Sequence, residues 1–370
     1  MRKKYLCLLL ALCLCLSGCS WMSGSYVSVE PHLERNTPND TDGISAANYY
    51  QLRAALSEIV RSGVESAIIG VADYDQGLVA GNMETASRYI KNSDPIGAYA
   101  VESIKYEIGT KGGKPAIAVQ ITYLRSRVEL RSIRYVDGME QAAQEIEEAL
   151  RDCDSGVVLM VENFAETDFA QLVTDYAETY PQMVMEIPQV TAGVYPEEGE
   201  NRVVELTFTY QTSRETLRQM QSQVSPVFNA ASLYVSGEGA DSQKYAQLYA
   251  FLMERFDYEI TTSITPTYSL LRHGVGDNRA FALVYAAMCR LAGLECMTVT
   301  GTRDGEHWCW NIVSDNGNYF HVDLLRCSAL GGFREFTDED MAGYVWDYSA
   351  YPECKPAPQE LEQPQPPAEE

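Results

Sequence analysis

Thiol, imidazole and carboxylate side chains follow one another late in the sequence, at His307, Cys309, His321 and Asp323. A cysteine thiolate can attack a carbonyl carbon when a histidine accepts its proton and a carboxylate orients that histidine. These residue types therefore indicate thiol-based acyl transfer. Their spacing argues against it, because His307 and Cys309 are too close on one expected strand for a well-aligned hydrogen bond between them.

One buried helix must position these residues. Gly274 and Gly276 break the chain, and Asp277 and Asn278 stand where a helix takes its N-cap and first-turn acceptor. Apolar residues then recur at helical spacing, and Gly293 is a candidate C-cap. The residues of this apolar stripe are Ala280, Leu283, Val284, Ala287, Met288 and Leu291.

Three short β-type runs follow the helix, at 295–300, 308–313 and 319–323. Turns that contain glycine separate them, which predicts a meander of antiparallel strands. Since side chains alternate along a strand, residues two apart lie on the same face. Trp308 and Trp310 should therefore share one face of their strand, and His321 and Asp323 should share one face of theirs.

This order of elements resembles the transglutaminase-like, papain-related fold found in many secreted bacterial proteins. The likeness is carried by Gly-x-Gly, the helix, Ala-Gly-Leu, Trp-Asn and Asp-x-Gly-x-Tyr-x-x-Val-Asp, and it covers about residues 240–354. It implies an α+β domain with a helix packed on an antiparallel sheet. It also implies a Cys-His-Asp triad whose cysteine opens the helix, where the helix dipole lowers the thiol pKa.

Two of the three triad positions hold other residue types. Gly276 stands at the cysteine position and Trp308 at the histidine position, while His307 is one residue away. Only Asp323 matches the family's pattern. Cys289 lies 13 residues beyond Gly276, or roughly 20 Å along a helix, which is too far to replace the nucleophile. The resemblance therefore implies a pseudoenzyme, with Trp308 and Trp310 as candidate binding residues.

The N-terminal residues 1–19 resemble a lipoprotein signal peptide and lipobox. A basic start precedes an apolar run that is too short to span a bilayer, and Leu-Ser-Gly-Cys then places Cys19 for lipid attachment, with palmitate among the acyl chains expected. The alternative is an ordinary signal peptide with an unrelated cysteine. We expect a flexible tether over 20–46 and a protein anchored to the cell membrane, facing the extracytoplasmic side.

The middle of the chain contains a repeat. Two segments that share the pattern Thr-Tyr-x-x-Ser-Arg lie 87 residues apart, counted from Thr122 to Thr209. We predict two tandem α-β-α-β-β modules, at 47–136 and 137–222. The third domain is expected at 223–352, and the segment 353–370, rich in proline and glutamate, is expected to be a disordered tail. The fold class predicted for the whole chain is α+β.

The composition of the chain limits the classes of partner and cofactor that we expect it to bind. The net charge is −24, and removal of the leader would make it −27, so nucleic acid is a poor partner. Neither a cofactor motif nor a spacing typical of metal ligands occurs, and we expect neither cofactor nor metal. Six cysteines lie beyond Cys19; disulfides and buried free thiols both remain open for them.

The sequence thus predicts a membrane-anchored lipoprotein whose degenerate domain binds a peptide or cell-wall ligand without catalysis. An alternative is an active cysteine protease or transglutaminase-like enzyme with a nucleophile recruited from elsewhere. A third alternative is a purely structural domain, in which Gly276 and Trp308 only pack a core.

Overall fold

The computed structural model describes residues 43–235, 237 and 239–355. Residues 1–42, which include the expected leader and Cys19, lie outside the described residues, as do residues 356–370. The described chain is α+β, as expected, and it divides into two compact units. One holds 43–92 and Ala100–Ser126, and the other holds Ser93–Tyr99 and 127–355. Among the described helices, none is both long and apolar enough to cross a membrane.

Module 1 is an α-β-α-β-β unit with an antiparallel sheet in the order β1-β3-β2. Asn48 caps its first helix by accepting a hydrogen bond from the Gln51 amide, and the apolar stripe of that helix is buried. Its elements are α1 (Tyr49–Arg61), β1 (Ser66–Gly70), α2 (Val79–Asn92), α3 (Pro95–Ala100), β2 (Val101–Lys111) and β3 (Lys114–Tyr123).

Module 1 begins earlier than the sequence predicts, and it has a short helix before β2 that the predicted pattern lacks. This helix, α3, begins at Pro95, a residue suited to a first helical turn. The tether was expected to run to residue 46. Ser45 instead forms a parallel bridge with Gly70, and Ala46 is buried, so the module begins before residue 47.

Module 2 repeats this topology. Its strands β5, β7 and β6 pair in the same order as β1, β3 and β2, and β5 begins 90 residues after β1 (156 − 66). A further strand pairs parallel with β5 at the outer edge. The elements are α4 (Arg127–Arg131), β4 (Arg134–Asp137), α5 (Met139–Arg151), β5 (Gly156–Glu162), α6 (Phe169–Thr179), β6 (Gln189–Tyr195) and β7 (Arg202–Thr209).

The third domain packs one buried helix against a four-stranded antiparallel sheet in the order β12-β11-β10-β13. A short parallel pair, β8 with β9, leads into the buried helix α10. The elements are α7 (Arg214–Tyr234), α8 (Asp241–Met253), β8 (Asp257–Tyr258), α9 (Pro266–Tyr268), β9 (Val275–Gly276), α10 (Asn278–Leu291), β10 (Cys296–Arg303), β11 (Glu306–Asp315), β12 (Asn318–Val322), α11 (Leu324–Ala329) and β13 (Tyr344–Trp346).

Three domain limits differ from the sequence prediction. The predicted limit at 136/137 cuts through the strand β4. This strand belongs to module 2, because it pairs with β5 and the chain enters that sheet before α5. The helix α7 crosses the expected limit at 222/223, since Ser213 caps it and begins it earlier. The tail was expected from 353, but Cys354 is only 1% exposed and packs in the core of the third domain.

Candidate functional site

The start of α10 is fixed by two polar side chains. Asp277 accepts a hydrogen bond from the Ala280 amide at 2.8 Å, which is the N-cap that the sequence predicts. Asn278 does not act as a second acceptor within the helix. Its Oδ1 accepts the Cys309 amide at 3.0 Å and so ties the first turn of the helix to β11.

Gly276 stands directly before this cap, and its surroundings leave little room for a side chain. It is buried and pairs with Tyr258 through β9 and β8. A Cβ at Gly276 would lie 3.0 Å from the Ala280 Cβ and 3.1 Å from the Leu270 Cδ1. Glycine at this position does not widen a cleft, because neighbouring side chains close over it.

Trp308 occupies the place where the resemblance implies a histidine. Its indole Nε1 donates a hydrogen bond to Oδ2 of Asp323 at 2.9 Å. The ring lies against the side chains of Tyr258, with centroids 6.2 Å apart, and Arg303, 5.0 Å from the ring centre. Trp308 thus makes the bond to the carboxylate that a triad histidine would make, but an indole N–H has no lone pair with which to accept a proton.

Asp323 is only 2% exposed and acts as an acceptor for several donors. Its Oδ2 also accepts the Tyr344 hydroxyl at 2.6 Å. Its Oδ1 accepts the amides of Leu325 and Arg326, so Asp323 is also the N-cap of α11. The Arg303 guanidinium lies 3.6 Å away. Burial and the Asp323 charge raise the pKa of Tyr344, which keeps its hydroxyl a donor.

His321 lies in the core and is held as a neutral ring. Trp310 Nε1 donates to His321 Nδ1 at 2.9 Å, so the ring proton resides on Nε2, which faces Asp338 Oδ1 at 2.9 Å. Burial lowers the pKa of His321, against the opposing effect of Asp338. His321 is therefore not placed to activate a thiol, and it contributes to the packing of the sheet.

The nitrogen, oxygen and sulfur ligand atoms of His321, Asp338 and Cys354 lie within 4.8 Å of one another, which is a spacing compatible with a metal ion. The hydrogen bonding of the His321 ring argues against a metal ion at this position. The Trp310 donor occupies the Nδ1 lone pair, so Nε2 keeps its proton and has no lone pair for a metal. We therefore assign the three residues to packing and hydrogen bonding.

The thiols of the described residues are buried and form no disulfide bonds with one another. Among them, Cys309 is 4% exposed and contacts Thr300 Oγ1 at 3.8 Å, and burial raises its pKa to about 11. Burial likewise raises the pKa of other thiols in this part of the chain, which holds them protonated at neutral pH. These are Cys153, Cys289, Cys327 and Cys354.

His307 and Trp308 border an open cleft of about 520 Å³ at the start of α10. Module 2 forms part of its wall through Glu178, whose carboxylate pairs with Arg279 at 2.9 Å. The residues that line it are Glu178, Tyr258, Ile260, Thr262, Asp277, Asn278, Arg279, Thr300, Glu306, His307 and Trp308. Trp310, expected to bind ligand beside Trp308, is instead 1% exposed, because its ring packs between Tyr344 and Trp346.

Sequence reasoning missed the contribution of module 2. Glu178 and Arg279 are 101 residues apart, and neither stands in a motif. The sequence prediction also ended the first strand of the meander at residue 300, whereas β10 continues to Arg303 and pairs with β13 at Gly301. A Cβ at Gly301 would overlap the Val345 carbonyl oxygen, so the glycine permits a close backbone approach within the sheet.

Residues 229–324 match the family model of the transglutaminase-like superfamily. No curated protein matches the sequence. Solved structures that match include a TGase, at 9% identity and TM-score 0.26, over 46% of this chain and 50% of that one. A candidate cysteine protease from Cytophaga hutchinsonii matches at 14% identity and TM-score 0.26, over 43% of this chain and 70% of that one.

A candidate protease from Parabacteroides distasonis matches at 9% identity and TM-score 0.23, over 69% of this chain and 39% of that one. The chain spans about half the length of the TGase structure. The helix α10, the strands β10, β11 and β12, and Asp323 all lie within the matched range 229–324. The third domain of this chain is a transglutaminase-like domain.

Proposed function

We propose that the transglutaminase-like domain binds a peptide or cell-envelope ligand without catalysing acyl transfer. The observation that carries this proposal is the 2.9 Å hydrogen bond from Trp308 to Asp323. It puts a group that cannot accept a proton in the place of the general base, next to a helix start that has no side chain at Gly276.

The cleft supports the binding part of the proposal. It is open, it has a volume in the range of ligand sites, and it combines two aromatic rings with polar groups. Tyr258 is 38% exposed, so its ring is accessible to a ligand. Trp308 points its N–H inward and is half-buried, which leaves part of its ring at the cleft.

Two measurements test the two halves of this function. First, an electrophilic thiol probe is applied to the folded protein from acid to mildly alkaline pH, with the modified residue identified by mass spectrometry. We expect slow labelling at neutral pH, because burial raises the thiol pKa values. One cysteine labelled rapidly below pH 7 would support a recruited nucleophile and overturn the non-catalytic assignment.

Second, the protein is applied to an array of synthetic peptides and to isolated cell walls. We expect binding that Trp308→Ala weakens and that Tyr135→Ala does not. Tyr135 is the matched control because it is an exposed aromatic residue, 55% accessible, that does not line the cleft. If neither material is bound, or if both variants behave alike, the cleft is not the ligand site.

We also propose that Cys19 carries the lipid that holds the protein at the membrane, on the extracytoplasmic side. The leader pattern that ends in Leu-Ser-Gly-Cys supports this. Cells that express the full chain are fed an alkyne-tagged palmitate. The wild type should incorporate the tag and fractionate with membranes, and Cys19→Ser should do neither; tagging of the Ser variant would refute the assignment.

A further inference from the structure

A second cavity adjoins the cleft. It has a volume of about 290 Å³ and lies between module 2 and the loop that precedes α9. Glu178, Thr262 and Arg279 line both cavities, so the two are neighbours with the Glu178–Arg279 ion pair at their common wall. An occupant that follows the loop would pass from one cavity into the other.

The two cavities differ in chemistry. The first has three carboxylates, of Glu178, Asp277 and Glu306, against one guanidinium, of Arg279, and it also holds the rings of Tyr258 and Trp308. Carboxylates together with aromatic faces favour a cation. The Asp277 carboxylate already accepts an amide of α10, so the exposed Glu306 is the residue best placed to meet an incoming positive charge.

The second cavity is mainly aliphatic. Its apolar walls are Val184, Met185, Ile187, Ile264, Pro266 and Leu283. The Glu186 carboxylate, which also borders it, is already an acceptor for the amides of Gln211 and Thr212. A wall of this kind favours an apolar side chain, because burial of its surface is stabilising and both bordering carboxylates have partners, Glu186 in two amides and Glu178 in Arg279.

We propose that the two cavities together hold one extended peptide, with a basic side chain in the first and a nearby apolar side chain in the second. This inference rests on the proposed binding function and names its ligand class. Charge complementarity selects the basic residue, and the shared wall sets the short separation. Module 2 thereby contributes to specificity, since it supplies Glu178 to the first cavity and half of the named apolar wall, Val184, Met185 and Ile187, to the second.

The probes are N-acetylated, C-amidated alanine hexapeptides in which one lysine and one leucine are separated by zero, one or two residues. An extended chain advances about 3.3 Å per residue, so this set samples separations of roughly 3–10 Å. Affinity for the full chain is measured by isothermal titration calorimetry. We expect one spacing to bind more tightly than the others.

Replacement of the lysine by norleucine should weaken that peptide about fivefold, the upper end for a partly exposed charge pair. The loss should shrink at high salt because exposed charges are screened. Replacement of the leucine by alanine should weaken the peptide about tenfold, as expected when a buried apolar side chain is shortened.

Two variants assign each preference to its cavity. Glu306→Gln should reduce the lysine preference and keep the leucine preference, and Ile264→Glu should do the reverse. Ile264 is 52% exposed, so this variant should fold. Glu140→Gln and Ile108→Glu carry the same changes at exposed positions that line neither cavity, and they should alter neither preference.

The outcomes separate this inference from the function on which it rests. If arrayed peptides bind at the cleft but norleucine and alanine replacements leave the affinity unchanged, the two-cavity inference is overturned and the binding function stands. The same holds if the control variants shift the preferences as much as the cavity variants. If neither the hexapeptides nor the arrays bind, both fail.

Discussion

The Glu178 carboxylate lies 2.9 Å from the Arg279 guanidinium, which joins the end of α6 in module 2 to the first turn of α10 in the transglutaminase-like domain. Arg290, in the last turn of the same helix, contacts Tyr180 just beyond α6. Module 2 therefore holds the helix of the candidate site near both of its ends.

Loss of this ion pair should cost little stability. Both side chains are about a third exposed, at 30% and 32%, and such pairs contribute about 0–1 kcal/mol. We expect Glu178→Gln to lower the free energy of unfolding, measured in urea, by less than about 1 kcal/mol. The same change should lower the affinity of any ligand that binds in the cleft. A double-mutant cycle with Arg279→Gln measures the pair directly; a coupling of several kcal/mol would show that the pair is a principal support of the interface.

Asp323→Ala should destabilise the domain strongly. The change would leave the Trp308 indole N–H and the Tyr344 hydroxyl without their acceptor in a buried place. We expect a loss of roughly 2–6 kcal/mol, since each of these two buried donors left unpaired costs about 1–3 kcal/mol. The measurement is the urea midpoint of the second unit by circular dichroism.

Trp308→Phe is the matched control for this prediction. It removes the indole N–H itself, so no donor is left unpaired at position 308. The hydrogen bond from the Tyr344 hydroxyl to Asp323 stays in place. Its cost should be smaller than that of Asp323→Ala. Equal losses for the two variants would mean that Asp323 serves only Trp308.

Restoration of a triad requires space as well as residues. In Gly276→Cys/Trp308→His, the new Cβ would press on Ala280 and Leu270, at 3.0 and 3.1 Å. We expect this double variant to lose about 1–3 kcal/mol, as is usual for overpacked sites. Addition of Ala280→Gly should recover part of the loss, less the roughly 1 kcal/mol that glycine costs within a helix.

A thiol at this helix start should then react with iodoacetamide at neutral pH, because the helix dipole stabilises a thiolate. The labelling rate of the triple variant is compared with that of the same variant retaining Trp308. Faster labelling with histidine is the expected result. Equal rates in two folded proteins would contradict the assignment of position 308 to the histidine of the triad.

Stability should fall in acid because of His321. Burial lowers its pKa below the ordinary value, so the unfolded chain binds more protons than the folded one as the pH drops below about 6.5. The stabilisation is complete above that pH and is lost progressively towards the lower folded-state pKa. Protonation would also place a donor on Nδ1 against the Trp310 N–H.

The check is urea unfolding at pH 7.5 and pH 5.5. His321→Gln should reduce the difference between the stabilities at the two pH values. The groups that face His321 are Asp338, Trp310 and Cys354, and Asp338 opposes the shift. An unchanged pH dependence in His321→Gln would assign the acid sensitivity to other groups.

The helix α10 and the meander could be predicted from local sequence. The period of the apolar residues and the cap at Asp277 fix the helix, and Asn316-Gly317 ends one strand and starts the next. The assignment of Gly276 to the nucleophile position stays a prediction, which rests on its place four residues before Ala280 in a recognisable order of elements.

What could not be predicted depends on contacts between distant residues. The bond from Trp308 to Asp323 spans 15 residues, and the contact from Glu178 to Arg279 spans 101. Alternation along a strand placed both tryptophans on one face, but it could not show that Trp310 is enclosed while Trp308 reaches the cleft. That difference comes from β13, a strand of three residues with too few residues for a pattern.

The bridge from Ser45 to Gly70 has a counterpart in the parallel pair of Val136 with Val161 in module 2. Both partners shift by the same 91 residues (136 − 45 and 161 − 70). Each module therefore includes an extended segment ahead of its long first helix, and this segment pairs in parallel with the strand that follows the helix. A fragment that starts at the first residue of α1 or of α5, at Tyr49 or Met139, would therefore lack a segment that pairs with the sheet of its module.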